Sequence, residues 1–256
     1  MLDIKNPKAA IPIVLLAGIF WSFGPYVVRH IDQPQLVPWQ YLFTRGLVIF
    51  ILLNVYLYLD EGLKFYKNYL KIGISGILGG AGLATAMITF IYSISNTSAA
   101  VTLLCLAAMP FITALLGFMF LKEKISLTVW ISIFVATFGI VVMAFGNAEK
   151  NTLSGLIFGL ASALGFSIFS VTLRWKKNTP KFTTVALSGL FCCVFSTILI
   201  LINDLNFLST NKNEALFATH GTLVCIGLIM YSIGSKNIPA TDLTLLSLTE
   251  VVEEFS

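Results

Sequence analysis

Tyr92-Ser93-Ile94 opens a segment that runs through Ala100, Leu103 and Leu106 to Pro110. Tyr231-Ser232-Ile233 opens another that, after a slip of one residue, runs through Ala240, Leu243 and Leu246 to Glu250. A likeness repeated at so long a period indicates a chain built by duplication, and this sets the architecture before any single residue is interpreted. Around the two segments the sequence is apolar. Hydrophobic residues make up 57% and charged residues 11% of it, where soluble domains carry about 25% charged residues, and the mean hydropathy is +0.90.

Apolar runs of about 20 residues, the length that crosses a hydrocarbon core of about 30 Å, recur along the chain. They predict spans at 10–29, 37–59, 69–92, 97–121, 127–146, 152–174, 182–203 and 216–235, with a partial ninth at 238–252. Backbone polar groups in lipid must be satisfied within the segment, so the spans read as helices, and strands of a barrel would be shorter and alternating. The fold class is all-α, a polytopic membrane protein. The first apolar run is too long for a signal peptide and lacks a small-residue cleavage site, so it reads as a retained span. Cys105, Cys192, Cys193 and Cys225 all fall in spans and read as small buried hydrophobes rather than disulfide or metal partners.

Charge placement orients the chain. With the N-terminus in the cytoplasm, twelve of the sixteen basic residues fall on the inner side: Lys5, Lys8, Lys64, Lys67, Lys71, Lys122, Lys124, Arg174, Lys176, Lys177, Lys181 and Lys236. The outer side receives Arg29, Lys150 and Lys212, while Arg45 lies within a span. This is the bias that sets membrane topology. The net charge of +4 thus comes from the loops and does not argue for nucleic acid. The same bias tests the duplication, because a unit of five spans must be followed by an upside-down copy. The loop after the first span carries Arg29 and His30 beside Asp32, whereas its counterpart after the sixth carries Arg174, Lys176, Lys177 and Lys181. Lys64, Lys67 and Lys71 follow the second span, and the seventh is followed by a polar, nearly neutral stretch. Bias that flips between paired loops is what inverted repeats require. The stretches 17–23 (AGIFWSF) and 161–167 (ASALGFS) align as well, each followed by a span-ending arginine. The repeats are placed at 1–147 and 148–256, the second incomplete.

Several residues resemble the EamA-type branch of the drug/metabolite transporter superfamily. They are Trp21-Ser22 in the first span, Phe43-Thr44-Arg45 in the second and the glycine-rich third span. In the fourth span they are Thr97-Ser98-Ala99-Ala100 and Met109-Pro110-Phe111, closing with Leu121-Lys122-Glu123-Lys124; Leu248-Thr249-Glu250 matches the acidic position of the ninth. The resemblance covers almost the whole chain and implies ten helices in two inverted five-helix repeats, both termini cytoplasmic, and a central substrate cavity between the halves. It makes the chain a secondary transporter of small metabolites or amino-acid-like compounds, multi-pass in the cytoplasmic (inner) membrane. The sequence departs from the pattern at its end: the ninth span has about 13 apolar residues, too few to cross, and no tenth follows. A truncated, non-functional remnant of such a transporter is therefore the alternative expectation.

The candidate cavity residues are Trp21, Ser22, Arg45, Tyr92, Pro110 and Glu250. An intramembrane charge needs a partner, water or a cavity; Arg45 either serves a substrate or snorkels and fixes packing. Glu250 is placed to accept an amine, relay a proton or pair with Arg45, provided that the ninth helix is ordered. Pro110 removes a backbone hydrogen bond and predicts a kink. Trp21 and Tyr92 serve equally as cavity walls or as packing. Gly73, Gly76, Gly79, Gly80, Gly82, Gly155 and Gly159 read as helix-packing positions, where small residues let backbones approach. His30 and His220 are expected on outer loops as solvated bystanders. No catalytic constellation, metal ligand set or Walker-type loop is present, so neither an enzyme nor an ATP-driven pump is expected, and no cofactor. The expected partners are a small-molecule substrate and the bilayer, with a homodimer left open.

Overall fold

The structure, a computed structural model, describes residues 7–33, 37–123, 153–176 and 178–247, together with Leu127, Trp130, Ile131, Phe134, Val135 and Phe138. Among these residues the long elements are helices: α1 (Pro7–His30), α2 (Pro38–Glu61), α3 (Gly73–Asn96), α4 (Ala99–Leu106), α5 (Met109–Leu116), α6 (Leu153–Trp175), α7 (Lys181–Ile202), α8 (Asn211–Gly234) and α9 (Ala240–Ser247). Among the described residues seven candidate membrane spans are long and apolar enough to cross a bilayer. The fifth predicted span, 127–146, falls largely outside the described residues, and of the partial ninth the described part is α9.

Helix boundaries follow local chemistry. Pro38 sits in the first turn of α2, where its missing N–H removes no bond, and Gly62 ends the helix at φ +61°. Ser98 caps α4 by accepting from the Val101 amide, and Thr210 caps α8 by accepting from the Asn213 amide. The predicted kink is a full break. Pro110 cannot donate to the Leu106 carbonyl, and the fourth span splits into α4 and α5 through a turn at Ala107 and Ala108. A π-helical turn, Gly117–Leu121, closes α5, and Lys122 leaves it in the left-handed region at φ +57°.

The polarity of the molecule is that of a membrane protein. Ile11, Leu16, Ile19, Ile51, Val55, Ile77, Ile157, Leu164, Val194 and Ile198 are among the large apolar residues turned outward, a surface that suits hydrocarbon and would be an aggregation liability in water. Small hydroxyls face inward instead. The Ser162 hydroxyl donates to the Ala86 carbonyl at 2.9 Å, Ser167 to Met109 at 3.1 Å and Ser93 to Gly155 at 2.8 Å. Each joins two helices, where such bonds average about 0.6 kcal/mol in a bilayer. The four cysteines are free and buried.

Glycines set the close helix pairs. A Cβ on Gly165 of α6 would lie 2.6 Å from the Gly82 carbonyl of α3, and one on Gly189 of α7 would lie 2.6 Å from the Gly46 carbonyl of α2. Both contacts are reciprocal, and the helices of each pair run antiparallel, Gly79 lying near Thr172 while Gly155 lies near Thr97. Gly76, Gly79, Gly80, Gly155 and Gly159 also meet a neighbouring helix or segment, whereas Gly73 has open space around it. The pairing has an exchange symmetry. If α1, α2 and α3 are swapped with α6, α7 and α8, the contact α3–α6 becomes α8–α1, α3–α7 becomes α8–α2, and α2–α7 maps onto itself. The short helices obey the same exchange: α4 and α5 pack on α6 as α9 packs on α1, and α5 meets α9. The Tyr-Ser-Ile segments close α3 and α8, and each is followed by an eight-residue helix, α4 or α9.

Candidate functional site

At the centre, α1, α2, α3, α6 and α8, with the α4–α5 break, line an open cavity of about 100 Å³. Its wall is mostly apolar, with Leu83, Met87 and Phe90 from α3, Leu106 and Met109 from either side of the break, Phe166 from α6 and Leu228 from α8. The helix break therefore sits beside the cavity and turns two side chains into it. Trp21 enters from α1, with its indole N–H donating to the Val224 carbonyl at 3.4 Å, and Ser162 supplies a hydroxyl.

Arg45, eight residues into α2, is 4% exposed. One guanidinium nitrogen donates to the Met87 carbonyl at 3.4 Å, and its carbon lies 5.3 Å from the centroid of the Tyr41 ring. Among the described residues no carboxylate pairs with it. Glu214, on the first turn of the adjacent α8, has both oxygens engaged elsewhere. One accepts from the Thr44 hydroxyl at 2.7 Å and the other from the Ser209 amide at 2.8 Å.

His220 overturns its expected place. It is not solvated on a loop but 3% exposed inside α8, where it lines the cavity beside Arg45. Its Nδ1 shares a hydrogen bond with the Tyr41 hydroxyl, and the two rings stack at 5.8 Å. The predicted span 216–235 already contained position 220 near its end, but α8 starts five residues earlier and so carries His220 more than a turn further in. The helix begins at Asn211, capped by Thr210, so 211–215 belong to it although their hydropathy resembles a loop. A threonine cap followed by an acid in the first turn was the signal available for that start.

Aromatic layers bound the cavity on two sides. Trp21 meets Phe166 edge-on at 5.5 Å and Tyr231 at 5.6 Å, and Phe169 stacks on Tyr231 at 6.0 Å. The Tyr231 hydroxyl bonds Ser170 at 2.6 Å. On the other side Tyr41 packs edge-on against Phe217 at 5.1 Å, within a small cluster that includes Ile31, Leu42 and Ile91. Beyond the first layer Arg174 fastens one end of the molecule. It pairs with Glu123 at 3.1 Å and donates to the carbonyls of Ser235, at 3.3 Å, and Ile238. The second Glu123 oxygen accepts from the Ala240 amide at the start of α9, at 3.4 Å.

Of the residues singled out in the sequence, Trp21 and Arg45 are brought together in the cavity wall. Ser22 lies beside it and donates to the Ile19 carbonyl at 2.8 Å. Tyr92 is not among the lining residues and stacks on Phe158 at 4.9 Å, close to Trp39 at 5.0 Å. Pro110 is buried next to Met109 without reaching the cavity. Glu250 lies outside the described residues. The contribution of His220 and of the aromatic layer around Phe166 and Tyr231 was not foreseen.

Long apolar helices with an apolar outer surface, packed around a small central chamber, define a multi-pass α-helical membrane protein. The chain belongs to the EamA-like transporter family, whose profile matches residues 8–145. It is 27% identical over 203 residues to an uncharacterized transporter of Helicobacter pylori (strain J99 / ATCC 700824) and 26% identical over 203 residues to one of Helicobacter pylori (strain ATCC 700392 / 26695). Each match covers 78% of this chain but 66% of the relative, slightly under two thirds of its length. A protein of known crystal structure, 17% identical, superposes with a TM-score of 0.71 over 96% of this chain and 86% of its own, a likeness of fold.

Proposed function

We propose that the chain is a secondary transporter of small metabolites or amino-acid-like compounds in the cytoplasmic membrane, with its N-terminus in the cytoplasm, and that it works by alternating access rather than as an enzyme. In this reading 1–147 and 148–256 are inverted repeats, and one half rocks against the other around the central cavity. The observation that carries it is the position of that cavity: it holds a buried arginine between two aromatic layers, and both halves contribute to its wall. The exchange symmetry of the helix contacts supports the repeats, and the charge bias of the loops supports the orientation. Opening of the Trp21–Phe166–Tyr231 layer would admit solute from one side, and opening of the Tyr41–Phe217 layer from the other.

The test is a solute screen. Cells expressing the chain are assayed for uptake and efflux of a panel of labelled metabolites and amino acids, beside Arg45→Ala and Trp21→Ala. The expected result is a flux above the empty-vector control that both substitutions reduce at least tenfold. No flux for any solute, or a flux indifferent to both substitutions, refutes the reading.

A further inference from the structure

We infer that the central cavity takes a small carboxylate with a short apolar body, the carboxylate on Arg45 and the body against the wall at Phe166 and Leu228. This names the substrate class of the site proposed above and rests on that reading.

The guanidinium carries its charge at any physiological pH and has five N–H donors in a planar fork. The Met87 carbonyl takes one of them. Tyr41 offers its ring face to the cation, and its hydroxyl also interacts with the guanidinium. The described acid closest in the adjacent helix turn, Glu214, is held by Thr44 and the Ser209 amide. Among the described residues this buried charge, 4% exposed, faces the chamber with no carboxylate partner. A buried charge in this state calls for a counter-charge, and the fork matches the two oxygens of a carboxylate. His220 stands beside it, its Nδ1 occupied by Tyr41, and the Ser162 hydroxyl in the wall is taken by the Ala86 carbonyl. The rest is aliphatic and aromatic, including Leu83, Met109, Phe166 and Leu228.

Size and sign narrow the ligand. A chamber of about 100 Å³ is of the order of the engineered apolar cavity of about 150 Å³ that holds benzene. A short branched carboxylate fits within that volume, and benzoate, larger than benzene, seats its carboxylate there with the ring reaching toward the open side. A cationic amine of the same shape would meet the arginine as a like charge, and an alcohol would leave the fork without a counter-ion.

The experiment measures binding to the purified full chain in lipid nanodiscs by titration calorimetry, with benzoate, benzyl alcohol and benzylammonium as matched probes. The wild type is expected to bind benzoate about tenfold or more tightly than benzyl alcohol, the range of one charge-assisted hydrogen bond, and to bind benzylammonium more weakly still. Arg45→Gln is expected to abolish the preference, and Arg45→Lys to keep part of it. If Arg45→Gln does not fold, the wild-type series and Arg45→Lys still decide. Equal affinity for the three probes, or a benzoate preference that survives in Arg45→Gln, overturns the assignment. So does the absence of benzoate binding, or benzoate binding eliminated by saturating chloride, which would make the site one for an inorganic ion. Transport of neutral or cationic solutes in the flux screen would leave the transporter reading standing while this one fell.

Discussion

Gly165→Ala is the sharpest test of how the helices are held together. The added Cβ would lie 2.6 Å from the Gly82 carbonyl oxygen and 2.8 Å from the Ala86 amide nitrogen. Both obstacles are backbone, so no rotamer change relieves the clash, and α3 and α6 must part by close to 1 Å to restore ordinary contact. That movement stretches the bond from Ser162 to the Ala86 carbonyl, now 2.9 Å, and loosens van der Waals contact along the pair. Overpacking of this kind costs about 1–3 kcal/mol. For a chain of this length it corresponds to a fall in melting midpoint of roughly 2–10 °C. The molecule carries its own reporters, because its four free cysteines are buried and become reactive on unfolding. A thermal ramp in detergent with a thiol-reactive fluorophore reads the midpoint. Gly117→Ala, whose Cβ would make only a 3.4 Å contact with a Glu123 oxygen, is the matched control. A Gly165→Ala midpoint equal to that of the wild type or of the control would refute the claim that backbone contact between α3 and α6 limits stability.

Two further outcomes follow from the same geometry. Pro110→Ala restores a donor opposite the Leu106 carbonyl, so the break between α4 and α5 is expected to heal; amide hydrogen exchange at 107–109 should slow, and unchanged exchange would mean that packing rather than proline sets the break. Cysteines placed at Lys67 and Lys212 report orientation: an impermeant maleimide should label Lys212→Cys on intact cells but Lys67→Cys only after permeabilisation, and the reverse pattern would invert the topology.

Most of the fold was legible in the sequence because lipid imposes a simple rule, one apolar run for each crossing. Position was legible wherever a residue broke that rule. Arg45 stood out as a charge inside an apolar run, and Pro110 as a missing donor; each lies in or beside the chamber wall. His220 was hidden for the opposite reason. The polar opening of α8, at 211–215, made the first five residues of the helix resemble a loop, and only the Thr210 cap betrayed the true start. Tyr92 read equally as cavity wall or packing because an aromatic inside a span suits both, and its stacking on Phe158 depends on how α3 and α6 are rotated. Rotation about a helix axis is set by tertiary contacts such as Gly82 on Gly165, which pattern alone does not supply.

The reciprocal contact of Gly46 and Gly189 also bears on how this sequence can vary. Each glycine occupies the room that a side chain on the other would need, since a Cβ on either meets the other's carbonyl oxygen at 2.8 Å or less. Two positions far apart along the chain are therefore constrained as one. Drift at either is closed unless both helices shift, whereas the outward-facing isoleucines and leucines of the same helices are free to exchange for any residue of similar hydrophobicity. Sequences that diverge widely over their lipid-facing surface should still retain a small residue at both ends of this contact, and a variant that loses one should show compensation in the backbone of the other helix.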